Sequence, residues 1–107
     1  MDTQKKIHEL VTSRPVVLFM KGTPQFPQCG FSSRAIQILN ACGVKNLLTV
    51  DVLADPEIRQ GVKDYANWPT VPQLYIAGEF MGGSDIMTEM YEAGDLQKCI
   101  DLIADAH

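Results

Sequence analysis

The segment PQCGFSSR, residues 27–34, contains the cysteine best placed for chemistry in this chain. Cys29 stands where a polar loop meets the start of a helix, and the free N–H groups and dipole of a helix start stabilise a thiolate. A Cys followed by Gly and an aromatic residue is typical of a Cys-x-x-Cys redox pair, but Ser32 occupies the second position. Release of a mixed disulfide at Cys29 then needs an outside thiol. We predict Cys29 as the single reactive thiol.

The other two cysteines, Cys42 and Cys99, are predicted to lie in the core. A helix would place Cys42 about 20 Å from Cys29, too far to act as the missing partner. Three widely spaced cysteines do not match a disulfide framework. The histidines, His8 and His107, lie near the two ends, so we do not expect a closed metal site built from one chain.

The segment WPTVP, residues 68–72, is a second candidate for function. One interpretation is a proline-rich loop with Trp68 packed on the surface. The other is a binding edge: a Pro directly before a strand exposes the preceding backbone groups, and X–Pro bonds can be cis. Val71 and Pro72 would then offer a free N–H and C=O to an extended peptide.

The segment GGSD, residues 82–85, is the third candidate. The simpler interpretation is a tight turn with Ser84 or Asp85 capping a helix. In the functional interpretation, backbone N–H groups hold a carboxylate and Asp85 holds an ammonium. Lys21 and Arg59 would take a second carboxylate, unless they are ordinary solvated charges. A sulfur, an extended peptide and two charged ends together describe glutathione.

The periodicity predicts nine elements in the order α-β-α-β-α-β-β-α-α. The predicted strands cover residues 16–20, 47–52, 73–77 and 79–82, the last two forming a hairpin with its turn near Gly78. The helix after Cys29 extends to about Ala41 and is predicted to bury Phe31, Ala35, Ile38, Leu39 and Cys42. The first two strands should pair in parallel through a right-handed crossover helix. The prediction is a thioredoxin-like α/β fold, a four-stranded mixed sheet between helices.

Length and composition are those of one soluble domain covering residues 1–107, with a net charge of −4. No basic run favours nucleic acid or an anionic membrane as a partner. No apolar run reaches the roughly 20 residues that cross a bilayer. The first residues, MDTQKKIHELVTSR, resemble an amphipathic helix more than a signal peptide, so we expect a cytoplasmic protein.

The segments MKGTPQFPQCGFS, NWPTVPQLY and GGSDI together resemble the monothiol glutaredoxins of the single-domain Cys-Gly-Phe-Ser class. The resemblance extends over essentially the whole chain and implies a cis bond before Pro72. Ser84 departs from it, since many members have Cys there, and this excludes an intramolecular disulfide at that position. The resemblance implies a glutathione site made by Lys21, Cys29, Phe31, Arg59, Val71, Pro72, Gly83, Ser84 and Asp85.

The resemblance also implies that two subunits share a [2Fe–2S] cluster. Such a cluster needs four thiolates, and two Cys29 side chains with two glutathiones supply them. We therefore expect an iron–sulfur carrier that takes clusters from assembly proteins and gives them to apo-proteins. The alternative is an oxidoreductase that reduces protein–glutathione mixed disulfides by a monothiol route. A third role, in a heterodimer with a BolA-like protein, is also compatible with the resemblance.

Overall fold

The computed structural model describes residues 2–106, with side chains for residues 2–103. His107 lies outside the described residues. The described chain forms five helices and four strands in the predicted order: α1 Thr3–Ser13, β1 Val16–Met20, α2 Gly30–Ala41, β2 Leu47–Asp51, α3 Pro56–Ala66, β3 Gln73–Ile76, β4 Glu79–Gly82, α4 Ser84–Ala93 and α5 Asp95–Ala106.

The four strands form one mixed sheet in the order β2-β1-β3-β4. β1 pairs with β2 in parallel and with β3 antiparallel, and all five of its residues are buried. β3 and β4 form the predicted hairpin, whose two turn residues, Ala77 and Gly78, have φ values of 53° and 80°. Positive φ at both positions matches the twist of paired strands. The thioredoxin-like prediction is confirmed.

Alternation along β1 divides the core into two halves, one on each face of the sheet. Val16, Leu18 and Met20 pack with α2, α4 and α5, while Val17 and Phe19 pack with α1 and α3. This arrangement places the end of β1, the start of α2 and the start of α4 on one edge of the molecule. No helix among residues 2–106 is long and apolar enough to cross a bilayer.

Three details differ from the sequence prediction, the first being that β3 ends one residue earlier than predicted, at Ile76, because Ala77 has a positive φ and belongs to the turn. Phe31, assigned to the buried side of α2, is 64% exposed, and Ser32 takes the buried position instead. The reason is that the Ser32 hydroxyl has hydrogen-bond partners under the helix, so burial costs it little. Strand β2 also ends one residue earlier than predicted, at Asp51, whose carboxylate accepts the N–H of Leu53 over 2.9 Å and turns the chain.

Candidate functional site

Cys29 is the N-cap residue of α2, with extended backbone at φ −152° and ψ 156°. Its Sγ accepts the N–H of Ser32 over 3.3 Å, as the oxygen of a capping Ser or Asp would. The side chain is half-exposed. The sulfur therefore occupies the position where first-turn N–H groups favour negative charge, and it remains open to a reaction partner.

Ser32 joins this sulfur to the end of β1. Its hydroxyl lies 3.3 Å from Cys29 Sγ and accepts the backbone N–H of Lys21 over 3.0 Å. A hydroxyl has one donor and two acceptor sites, so it can donate to the sulfur while it accepts from Lys21. The side chain is fully buried. Ser32 thus fixes the thiol relative to the sheet.

The pKa of Cys29 lies below that of an ordinary thiol. Partial burial acts in the opposite direction and favours the neutral form. The hydrogen bonds from Ser32, the backbone N–H of Phe31 and the positive charge of Lys21 together outweigh that burial. The balance enriches the thiolate, which is the nucleophilic and metal-binding form of cysteine.

The loop before Cys29 is held by hydrogen bonds at both of its ends. Asp51 accepts the N–H of Gly22 over 2.9 Å, and the N–H of Gln28 donates to the carbonyl of Lys21 over 2.8 Å. Gly22 has φ +91°, and a Cβ atom there would lie 2.5 Å from the carbonyl oxygen of Phe26. Only glycine fits this turn without strain. The loop therefore returns to Cys29 along one defined path.

A cleft of about 360 Å³ adjoins Cys29 through two lining residues that act on its thiol, Lys21 and Phe31, although Cys29 itself is not a lining residue. Ligand clefts commonly have volumes of about 300–1,000 Å³. The Val71–Pro72 peptide bond in its wall is cis, and Val71 precedes the β1–β3 pairing, which begins at Gln73. The lining residues are Lys21, Phe31, Lys63, Trp68, Pro69, Thr70, Val71, Pro72, Gly83, Ser84, Asp85 and Ile86.

The start of α4 forms the opposite wall of this cleft. Its N-cap is Gly83, and within the described chain no side chain caps this end, which excludes Ser84 and Asp85 as the predicted caps. A Cβ atom at Gly83 would lie 3.3 Å from the carbonyl oxygen of Pro72 and 3.4 Å from Trp68 Nε1. Glycine therefore lets the two walls approach closely. The uncapped N–H groups suit a carboxylate.

The charges at the cleft have opposite signs. Lys21 and Lys63 supply two cations, while Asp85 in the first turn of α4 supplies an anion. Arg59 is exposed on α3 and does not line the cleft. Lys63 follows it by four residues, on the same helical face. Such a cleft can bind a zwitterion with two carboxylates and an ammonium.

Seven of the nine predicted site residues line the cleft, and the other two, Cys29 and Arg59, do not. Cys29 adjoins the cleft through Lys21 and Phe31, which act on its thiol. Lys63 and Thr70 also line the cleft, and neither is predicted as a site residue from the sequence. The four-residue spacing from Arg59 to Lys63 was the available signal for the former. Thr70 stands inside the segment WPTVP, but nothing in its residue type distinguishes it from an ordinary loop residue.

The remaining cysteines lie away from this site. Cys42, the C-cap of α2, is 6% exposed and belongs to the core, and Cys99 is half-buried against the same core. Burial raises the pKa of the Cys42 thiol, and the negative charge of Asp101 adds to this effect. Cys42 therefore favours the unreactive, protonated form.

A family model, curated relatives and solved structures all show that this chain is similar to glutaredoxins. The glutaredoxin family model matches residues 16–81. An uncharacterized monothiol glutaredoxin, ycf64-like, from Synechocystis sp. is 55% identical over 101 residues, which cover 94% of this chain and 94% of that protein.

Two solved structures show the same likeness in three dimensions. A monomeric truncated mutant of 1-C-Grx1 from Trypanosoma brucei superposes with a TM-score of 0.84 at 43% identity, covering 97% of this chain and 94% of that one. The glutaredoxin–glutathione complex from buckwheat gives a TM-score of 0.81 at 25% identity, covering 92% and 87%.

Proposed function

The chain belongs to the monothiol glutaredoxins, and we propose that it is a single-domain carrier of [2Fe–2S] clusters that uses glutathione as a co-ligand. The observation that carries the proposal is a single thiol with a lowered pKa beside a cleft that has charges of both signs. Where a dithiol enzyme has its second cysteine, the buried Ser32 hydroxyl supports the first one. Such a site favours holding a ligand over completing a disulfide cycle.

Glutathione as the occupant of the cleft is supported by size and charge. Its middle is an extended peptide that suits the backbone at Val71, and its glycine carboxylate suits Lys21 and Lys63. Its other end bears an ammonium and a carboxylate, which suit Asp85 and the uncapped start of α4. Its thiol would then extend toward Cys29. The buckwheat relative, whose structure is a glutathione complex, agrees with this assignment.

The cluster is cargo in this proposal. It requires four thiolate ligands, and one chain has a single cysteine at the site. Two chains and two glutathiones complete the set. The residues of this chain would contribute by lowering the pKa of Cys29 and by holding the glutathione thiol near it. Because two of the four ligands are held by non-covalent contacts, the cluster should leave more easily than from four protein cysteines.

Partners and location follow from this role. We propose apo iron–sulfur proteins as recipients, assembly proteins as donors, and a BolA-like protein as a partner in a heterodimer. We place the protein in the cytoplasm, where thiols stay reduced, because all three cysteines are free and the mechanism needs glutathione.

Anaerobic cluster reconstitution with glutathione, followed by mass measurement, tests this function. The expected product is brown and dimeric, with one cluster and two glutathiones, whereas the apo-protein should be largely monomeric. A tight dimer without iron would contradict the bridging role. A colourless protein that rapidly reduces glutathionylated substrates would instead support the monothiol oxidoreductase.

A further inference from the structure

Gln73 is a fully buried amide at the first position of the interior strand β3. The other residues of that strand are Leu74, Tyr75 and Ile76, and a residue at such a position is usually apolar. Burying an amide is unfavourable unless hydrogen bonds replace those made to water. The partners of Gln73 therefore indicate what this side chain does.

Two of the three partners lie in the cleft wall, defined as residues 68–72, and the third lies in β3 itself. The Gln73 Nε2 donates to the carbonyl of Trp68 over 3.3 Å and to the carbonyl of Thr70 over 3.2 Å. Carbonyl oxygens only accept, so the amide orientation is fixed. The Tyr75 hydroxyl donates to Gln73 Oε1 over 3.1 Å from the same strand.

The aromatic packing behind the wall does not by itself set its position. The Trp68 ring packs on Phe80, and Phe80 packs on Tyr75, each pair with centroids 5.5 Å apart. Ring contacts of this kind tolerate sliding, whereas the two hydrogen bonds from one amide fix the backbone at two points. Trp68 and Thr70 both line the cleft.

We propose that Gln73 is a positioning residue for the glutathione site: it holds the cleft wall against β3, and Tyr75 holds Gln73 in the orientation that does so. The role in ligand binding rests on the proposed function. The placement of the wall does not, since it follows from contacts within the chain.

The test uses Gln73→Met, which has a similar length and no hydrogen-bonding amide, and Tyr75→Phe, which keeps the ring. Val11→Ala is the control, because Val11 is fully buried in α1 and does not line the cleft. Trp68 is the only tryptophan in the chain, so its fluorescence reports on the wall directly.

For Gln73→Met we expect red-shifted Trp68 emission, stronger quenching by acrylamide and roughly tenfold weaker glutathione binding by calorimetry. Tyr75→Phe should change both readouts in the same direction by about two- to threefold. Val11→Ala should lower the melting temperature and leave both readouts unchanged.

Unchanged Trp68 emission in Gln73→Met would overturn the positioning role, as would equal changes in Val11→Ala. Altered emission with unchanged glutathione affinity would overturn the link between the wall and the ligand. Failure of the unsubstituted protein to bind glutathione would instead overturn the proposed function, and the fluorescence comparison would still decide whether Gln73 places the wall.

Discussion

The hydroxyl of Ser32 lies 3.3 Å from the sulfur of Cys29 and also accepts the backbone N–H of Lys21 over 3.0 Å. Ser32, which occupies the position of the second cysteine of a dithiol pair, is thus hydrogen-bonded to Cys29. Its hydroxyl stabilises the thiolate and connects it to Lys21, the residue directly after β1. A hydroxyl that helps to lower the pKa of Cys29 therefore stands in place of the second thiol.

Ser32→Ala should raise the pKa of Cys29, because it removes the hydroxyl that stabilises the thiolate. Less thiolate is then present at neutral pH, so alkylation of Cys29 by iodoacetamide at pH 7 should slow several-fold. The measurement is the alkylation rate against pH, with peptide mass analysis to separate Cys29 from the other thiols. An unchanged pH midpoint would contradict the assignment. Ser33→Ala, one residue further along α2, is the control and should leave the rate unchanged.

Cys29→Ser should abolish the visible absorption of the reconstituted cluster, since a hydroxyl is not ionised at neutral pH and cannot replace a thiolate. Cys42→Ser and Cys99→Ser should keep it, because these cysteines lie in or against the core. The comparison is the anaerobic absorption spectrum of the three variants, with circular dichroism to confirm folding. Loss of colour in a folded Cys42→Ser or Cys99→Ser variant would show that the ligand assignment is wrong.

Asp85→Ala should weaken glutathione binding, because Asp85 is the proposed partner of the glutathione ammonium. A charge-assisted hydrogen bond contributes about 1.5–3 kcal/mol, which corresponds to a ten- to hundredfold loss of affinity. Glu89→Ala is the matched control, since Glu89 is exposed one turn further along α4 and does not line the cleft. Calorimetry with glutathione measures both variants. Equal affinities for Asp85→Ala and the unsubstituted protein would remove Asp85 from the site.

The two cations of α3 make a second matched pair. Lys63 lines the cleft and Arg59 does not, so Lys63→Ala should weaken glutathione binding roughly tenfold and Arg59→Ala by less. The same titration measures both, and raising the salt concentration should narrow the difference because exposed charges are screened. A larger loss from Arg59→Ala would restore the sequence-based choice of Arg59 as the carboxylate partner.

Arg59 and Lys63 illustrate where prediction from the sequence succeeds and where it ends. The pattern of apolar residues identifies every element, since β1 is one continuous apolar run and caps such as Asp55 mark helix starts. The thiol at the start of α2 follows from the same local rules. Which of two basic residues on one helix face reaches the cleft depends on how α3 packs, and local spacing does not encode that.

The same limit applies to Phe31 and Gln73. Periodicity favours Phe31 inside and Ser32 outside, yet hydrogen bonds to Lys21 and Cys29 reverse that order. Gln73 is a single polar residue at the start of an apolar strand. Its carbonyl partners lie in a loop whose path is fixed only in the folded chain. Buried polar contacts of this kind are tertiary, so they emerge only from the structure.

Ser32→Cys should increase the disulfide-reductase activity of this chain. The two sulfur atoms would lie one helical turn apart, so the new thiol could attack a mixed disulfide at Cys29 within the same chain. That attack forms a disulfide between Cys29 and the introduced thiol and releases the substrate as its own thiol, and glutathione then reduces the pair. Intramolecular attack has a high effective concentration, so reduction of protein disulfides should become faster.

The same substitution should make the cluster less stable in air, because oxidation joins the two sulfurs and removes the thiolate that the cluster needs. It also removes the hydroxyl that supports Cys29. Under strict anaerobiosis the cluster should persist. Reductase turnover and the decay of visible absorption, each measured with and without oxygen, separate the two effects. If both proteins reduce disulfides at the same rate, the second thiol is not what limits this chain as a reductase.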